Sequence, residues 1–517
     1  MLDYLRRLAT TGAAYTAASV LSKLFAVALL PLYTSYVDTA DYGAAEVLFT
    51  AVVTASIVVR FGLIEALLRF FYLPDEDGDD VIRTGFAALF WLTTAGALIA
   101  LPFAEPISDA LLEGDAADLV RISIGGLWIL TLYEYLVTLF RLDERAKAYF
   151  AFTILHVLAA IPLTVFLVVG EGEGARGLLL GSYLSGIPFV IWFVISERRR
   201  LSLIPDRELL SRMVRFGLPT MPAELSLYSL QFIDRIILVR YVGLAEAGLY
   251  ALAFKFSQAI QVVVRGFQLA WPPLAYSIAD DDEARRIYAV VLTAFAALCG
   301  FLVVGLWLEA RWLVRLLAAP EYFDAYEVVG PLALGAALYG VYLAQLVILG
   351  RTGRTERNLP ATLGGTVANV ILNLLLVPPY GIVGAGIALV ASYLIVVGLM
   401  YAFTHRLFPI PWQWARLAVI TLVSAGLIAG GELLFPTEGA AGLLLRALLV
   451  AAYPVLLWFG GVVNREERAA ITEALRAGNL RERLAAMRRD EPDDDDQRAR
   501  AKRLYEAETR DQDRGGF

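Results

Sequence analysis

The chain has 517 residues, 58% of them hydrophobic and 18% charged, and its mean hydropathy of +0.63 belongs to no soluble globular class. A single cysteine, Cys299, excludes a disulfide framework within the chain, and two histidines leave no His/Cys set spaced for a metal. The net charge of −7 collects largely at 75–80, 280–283 and 490–496, which marks solvated loops and tail and gives no nucleic-acid-binding surface.

The N-terminal MLDYLRR and the apolar run behind it imitate a secretory signal. The run continues past Lys23 to Tyr36 without a small-residue cleavage site, so it reads as an uncleaved first span. An apolar stretch of about 20 residues crosses a bilayer as a helix. Applied along the chain, that rule predicts about fourteen spans, near 12–36, 42–68, 84–103, 119–140, 148–169, 177–196, 217–241, 247–273, 288–308, 327–349, 359–377, 382–403, 413–431 and 441–462. Basic residues alternate between the connections: Arg6, Arg7, Arg69, Arg83, Arg141, Arg145, Lys147, Arg198 to Arg200, Arg285, Arg286, Arg351, Arg354, Arg357, Arg406 and Arg416 fall on one side. The opposite loops are short and mostly acidic or neutral, so both termini are expected on the cytoplasmic face of the cytoplasmic (inner) membrane.

The chain is written twice. Gly12/Gly217, Tyr36/Tyr241, Val37/Val242, Ala40/Ala245, Gly43/Gly248, Phe49/Phe254 and a Val-Val-Arg triplet ending at Arg60 and Arg265 all match at a spacing of 205. A weaker echo, GARG at 174–177 and GIVG at 381–384, aligns its glycines at a spacing of 207. An even number of spans separates the copies, which predicts parallel repeats related by an axis along the membrane normal. The expected organisation is an N-terminal lobe at 1–200, a C-terminal lobe at 201–405, an appended helix pair at 406–463 and a charged cytoplasmic tail at 464–517. The tail reads as a solubilising segment, with docking as the alternative role.

A charge at bilayer depth asks for a partner, a watery cavity or a route to the interface. Here such charges concentrate in the duplicated spans: Lys23, Glu46, Arg60 and Glu65 in the first copy, and Glu224, Asp234, Arg235, Lys255 and Arg265 in the second, with Glu134 on the fourth span. On a helix advancing about 100° per residue, Lys255, Gln258, Gln261, Arg265 and Gln268 fall on one arc of roughly 140°. Lys23, Arg60, Lys255, Arg265, Gln258 and Gln261 are therefore the candidate substrate-binding set. Glu46, Glu134, Asp234 and Arg235 are the candidates for gating or ion coupling. Asp234 and Arg235 also fit a structural network with separate partners, Glu134 a hydrogen-bonded neutral carboxyl, and His156 a packed core histidine. There is no Gly-rich phosphate loop, metal-spaced set or nucleophile elbow, so neither catalysis, cofactor nor metal is expected.

The segments RFGLPTMPAELSLYSLQFIDRIILVRYVGLAEAGLYALAFKFSQ at 215–258, TADYGAAEVL at 39–48 and GRTERNLPATLGGTVANVILNLLLVPPYGIVGAGIALVASY at 353–393 resemble the polysaccharide and lipid-linked oligosaccharide flippases, a branch of the superfamily of multidrug and oligosaccharidyl-lipid exporters. The resemblance implies two pseudo-symmetric six-helix lobes in a V, plus the appended pair, working by alternating access on a prenyl-pyrophosphate-linked sugar. Membrane lipids and polysaccharide polymerase machinery are the partners it suggests. The superfamily also holds peptidoglycan-precursor flippases and multidrug exporters. The cavity cations favour an anionic cargo over a cationic drug. A membrane glycosyltransferase or polymerase, or a scaffold acting through the tail, are the readings from other classes.

Overall fold

The computed structural model describes residues 20–463 except Pro74, Glu113 and Asp115, together with Ala17 and Arg468. The beginning of the first expected span, Gly12, Arg6 and Arg7, and the tail at 464–517 apart from Arg468 lie outside these residues. Among the described residues the regular structure is entirely helical. Helical residues 20–28 lead into α1 (Leu30–Tyr36), followed by α2 (Thr39–Arg60), α3 (Leu63–Phe70), α4 (Gly78–Ala100), α5 (Ala104–Leu112), α6 (Ala117–Leu142), α7 (Ala146–Val165), α8 (Gly174–Leu184) and α9 (Gly186–Ser196). The second part continues with α10 (Arg207–Gly217), α11 (Met221–Tyr241), α12 (Leu244–Ser257), α13 (Ala259–Ser277), α14 (Asp281–Leu317), α15 (Tyr326–Arg351), α16 (Asn358–Leu407), α17 (Trp414–Leu434) and α18 (Gly439–Phe459).

Ten described helical segments are long and apolar enough to cross a membrane, or eleven if α12 and α13 form one span bent by 44°. This is fewer than fourteen, and the differences have local causes. The first span is described only from residue 20. The seventh, α11, is outside the ten; Glu224, Asp234, Arg235 and Arg240 give it a heavy charge load for an apolar span. The eleventh and twelfth run together as α16, but Gly381 breaks it with φ 53° and ψ −134°. Beyond that break the chain doubles back: Gly384 lies against the Leu376 carbonyl, and Gly365 against Val396.

The second span stops earlier than the expected 42–68. Phe61 and Gly62 both take left-handed backbone conformations, and Gly62 sits against the backbone of Gly217. The apolar residues that follow form α3, a short amphipathic helix. It packs on a second amphipathic helix, α10, which connects the two copies and is capped by Asp206 accepting from the amides of Glu208 and Leu209 at 2.9 Å. Arg69 stacks on Phe216, and Arg212 pairs with Glu76 across this contact.

The copies meet where α2 crosses α12. A side chain at Gly43 would strike the carbonyl of Leu244, and one at Gly248 would strike the carbonyl of Thr39. Both partners are related by the same spacing of 205, 244 to 39 and 248 to 43, so the contact is reciprocal. The echo at spacing 207 is equally physical: Gly174 and Gly381 both adopt positive φ, 47° and 53°. Near this crossing, Tyr322 Oη lies 2.8 Å from the carbonyl oxygens of Val37 and Asp38 and its ring packs edge-on to Tyr42.

The appended helices α17 and α18 lie outside the duplication, with α17 packed along α14. Residues 1–455 form one unit. In the other, 456–517, Arg468 Nε donates to the Val463 carbonyl at 3.0 Å.

Candidate functional site

Most of the charges expected inside the bundle have partners, and several partners come from the other copy. Arg60, at the end of α2, is 11% exposed and donates through Nη1 to Glu134 Oε2 of α6 at 2.8 Å and through Nη2 to Glu224 Oε1 of α11 at 3.1 Å. Ser56, one turn earlier on α2, lies 3.5 Å from the same Glu134 oxygen. Glu134 is therefore ion-paired, not a lone carboxyl. About two turns beyond Gly43, the same helix buries Thr50, which accepts from Arg235 Nη1 at 2.7 Å. Between them Glu46 Oε1 holds Lys255 Nζ at 2.6 Å, and the ammonium sits 4.9 Å from the Tyr42 ring centroid. Arg235 is flanked by the rings of Phe232 and Phe254 at 5.1 and 5.0 Å. Thus Arg60 and Lys255 are each engaged by carboxylates.

Asp234 and Arg235 are adjacent and point apart, as expected of neighbours on a helix. Arg235 reaches α2, whereas Asp234 is fully buried on the other side of α11. It accepts from Tyr250 Oη of α12 at 2.6 Å and from Asn373 Nδ2 of α16 at 2.7 Å. Asn373 Nδ2 also donates to the Asn369 carbonyl at 2.9 Å. A carboxylate in a dry site with amide and hydroxyl neighbours can hold a proton or a small hard cation.

Lys23 and Arg265 differ from the other cations. Lys23 is in no ion pair among the described residues and stands within electrostatic reach of Arg265. Arg265 is exposed and donates to Gln268 Oε1 at 3.2 Å. The polar stripe itself is bent: Lys255 lies in the last turn of α12, Gln258 sits at the 44° break, and Gln261, Arg265 and Gln268 belong to α13. Lys23, Lys255 and Gln258 line a groove of about 360 Å³ whose other walls are apolar side chains such as Leu24, Val262, Leu306 and Leu313. Gln258 and Gln261 also border a small cavity with Tyr339 and Tyr393. Arg60 and Arg265 share no hydrogen-bond partner among the described residues.

His156 is half-buried against aromatic rings, with Ser185 Oγ 3.3 Å from Nε2 and the Tyr133 ring 4.7 Å away. Sequence reasoning did not place Glu224, Asn369 and Asn373 in the site. The signal for the asparagines was present, because two amides four residues apart in an apolar run share one helix face. It also missed a second cluster, in which fully buried Arg446 of α18 binds Glu432 of α17 at 2.7 Å and Arg311 of α14 approaches Glu432 at 3.3 Å.

The chain belongs to the polysaccharide biosynthesis protein family, whose sequence model matches residues 9–277. It is 24% identical over 333 residues to the succinoglycan biosynthesis transport protein ExoT of Rhizobium meliloti (strain 1021), an alignment that covers 62% of this chain and 65% of that protein. Its fold is similar to the lipid II flippase MurJ in an inward closed conformation, with a TM-score of 0.70 at 14% identity over 88% of this chain and 99% of that one. An inward-facing multidrug resistance MATE transporter matches with a TM-score of 0.62 at 16% identity, over 78% of this chain and 95% of that one.

Proposed function

We propose that the chain is a flippase that moves a prenyl-diphosphate-linked oligosaccharide across the cytoplasmic membrane for surface polysaccharide synthesis. The observation that carries this reading is the groove between helical residues 20–28, the α12/α13 bend and α14, where Lys23, Lys255 and Gln258 stand in otherwise apolar walls. A lipid with an anionic head has that amphipathic character: the prenyl chain stays among apolar side chains while the diphosphate meets the cations. In this reading the termini are cytoplasmic, the lobes at 1–200 and 201–405 rock about the Gly43/Gly248 crossing, and Arg60 and Arg265 receive the diphosphate before Lys23 and Lys255 accompany it. Gln258 and Gln261 offer hydrogen bonds along the path. Asp234 is the coupling group, for a proton or sodium, and Arg235 and Glu46 transmit its state across the interface. The chain acts as a carrier, without a catalytic step of its own. An exporter of cationic drugs would want an open carboxylate at the groove; among the described residues none lines it, and Glu46, which holds Lys255, is taken up by that pair.

The test is a liposome assay with purified protein and a fluorescent prenyl-diphosphate oligosaccharide, read by a membrane-impermeant quencher. Wild-type protein is expected to equilibrate the lipid between leaflets, with Lys23→Gln and the Arg60→Ala/Arg265→Ala double variant much slower. Failure of the wild type under sodium, proton and voltage gradients alike would overturn the reading.

A further inference from the structure

The cross-copy ion pairs have opposite polarity at the two ends of α2. Near its beginning the first copy supplies the anion, Glu46, and the second copy the cation, Lys255. At its end the first copy supplies the cation, Arg60, and the second copy the anion, Glu224. Glu46 and Arg60 are fourteen residues apart, about 21 Å along a helix. The interface is therefore latched twice, and a cation argued to bind cargo is half of each latch.

We infer that cargo opens these latches by ion-pair exchange, with Glu134, Glu224 and Glu46 holding the places that the phosphates of an anionic lipid take over. The inference rests on the flippase reading and adds to it the residues that gate the site. At Arg60 the two terminal nitrogens each already receive an oxygen from a separate carboxylate, at 2.8 and 3.1 Å. A diphosphate presents two linked anionic groups and satisfies both nitrogens at once. The carboxylates are displaceable because their side chains are 35% and 29% exposed, so water can solvate them once released. Of the two bonds only Glu224 joins the copies, since Glu134 belongs with Arg60 to the first. Replacing Glu224 by phosphate frees this end while Lys255 and Glu46, with the Gly43/Gly248 crossing, hold the other. When the anion reaches Lys255, which lines the groove, it competes with Glu46 and frees the second end. A ligand moves a conformational equilibrium only by binding one state better, and here the unlatched state is the one that leaves Arg60 open to phosphate.

The experiment uses full-length protein in nanodiscs with Cys299→Ser and spin labels at Arg141→Cys and Arg354→Cys. Both sites are exposed and lie toward the Arg60 end. Arg141 is seven residues beyond Glu134 on α6, and Arg354 follows Arg351, which donates to the carbonyls of Ala275 and Ile278 at the end of α13. The probes are a long-chain prenyl diphosphate and the matching monophosphate. The diphosphate is expected to lengthen the interspin distance, the monophosphate to do so less, and Glu224→Gln to raise the long-distance population roughly tenfold without lipid, as loss of about one ion pair implies. Glu224→Asp, which keeps the charge on a shorter arm, is expected to fall between and serves if the Gln variant misfolds. Unchanged distances in lipid-free Glu224→Gln, or with diphosphate in a wild type that flips lipid in liposomes, overturn the exchange and leave the flippase reading standing. A wild type that neither flips the lipid nor responds to it overturns both.

Discussion

Gly43 and Gly248 occupy the same position of the repeat and lie in the same contact, each leaving room for the other copy's backbone carbonyl. An added methyl at either position meets backbone and not a side chain that can swing aside. Gly43→Ala and Gly248→Ala are each expected to lower stability by about 1–3 kcal/mol, the usual cost of overpacking. Once one substitution has pushed the helices apart, the second has less to displace, so the double variant should cost less than the sum. Thermal unfolding in detergent measures both. Additive losses would show that the positions do not share a contact.

Arg60 separates two carboxylates that interact unfavourably without it. Arg60→Ala is expected to destabilise by about 1–3 kcal/mol, a range kept low because both carboxylates are near one-third exposed. Adding Glu134→Gln and Glu224→Gln to Arg60→Ala should restore most of that stability while leaving lipid flipping impaired. Recovery of flipping together with stability would reduce Arg60 to a structural counter-ion.

What the sequence revealed and what it hid follow from the range of the interaction. Close backbone approach demands glycine at Gly43 and Gly248, and positive φ favours it at Gly174 and Gly381, so both pairs appear as matched letters. The turn at PPYG likewise shows itself by composition, and α16 reverses there at Gly381. Ion pairs leave no such trace. Arg60's partners are 74 and 164 residues away, and a charge in an apolar run states a need for a partner without naming it. The early stop of α2 was hidden because LIEALLRF is apolar enough to extend a span, while the cause, Gly62 pressed on Gly217, lies in another part of the chain.

Asp234 has hydrogen-bond donors on two other helices, which suits either a structural or a coupling role. Tyr250→Phe removes a 2.6 Å bond to a buried carboxylate and is expected to cost about 1–3 kcal/mol, readable by thermal unfolding. Asp234→Asn removes the charge at nearly constant volume. As the coupling group, its replacement should abolish the response of flipping to imposed sodium or proton gradients while prenyl diphosphate binding persists. A variant that responds to the gradients as the wild type does would assign Asp234 to structure alone.

Arg446 is the most enclosed charge of the appended pair, and its Nε has no hydrogen-bond partner among the described residues. Its Nη1 binds Glu432, so Arg446→Ala leaves that carboxylate with Arg311 alone, at 3.3 Å. Breaking one side of a buried pair costs about 3–5 kcal/mol, whereas replacing both members with apolar residues of similar size is often neutral. Arg446→Met with Glu432→Leu, which leaves the partly exposed Arg311 to solvent and the Tyr326 ring 4.5 Å away, is therefore expected to unfold close to the wild-type temperature, and Arg446→Ala well below it. Because α17 packs along α14 and lies outside the duplicated helices, the double variant should also retain most lipid flipping in liposomes. A stable double variant that no longer flips lipid would place the appended pair in the transport cycle and not merely on its flank.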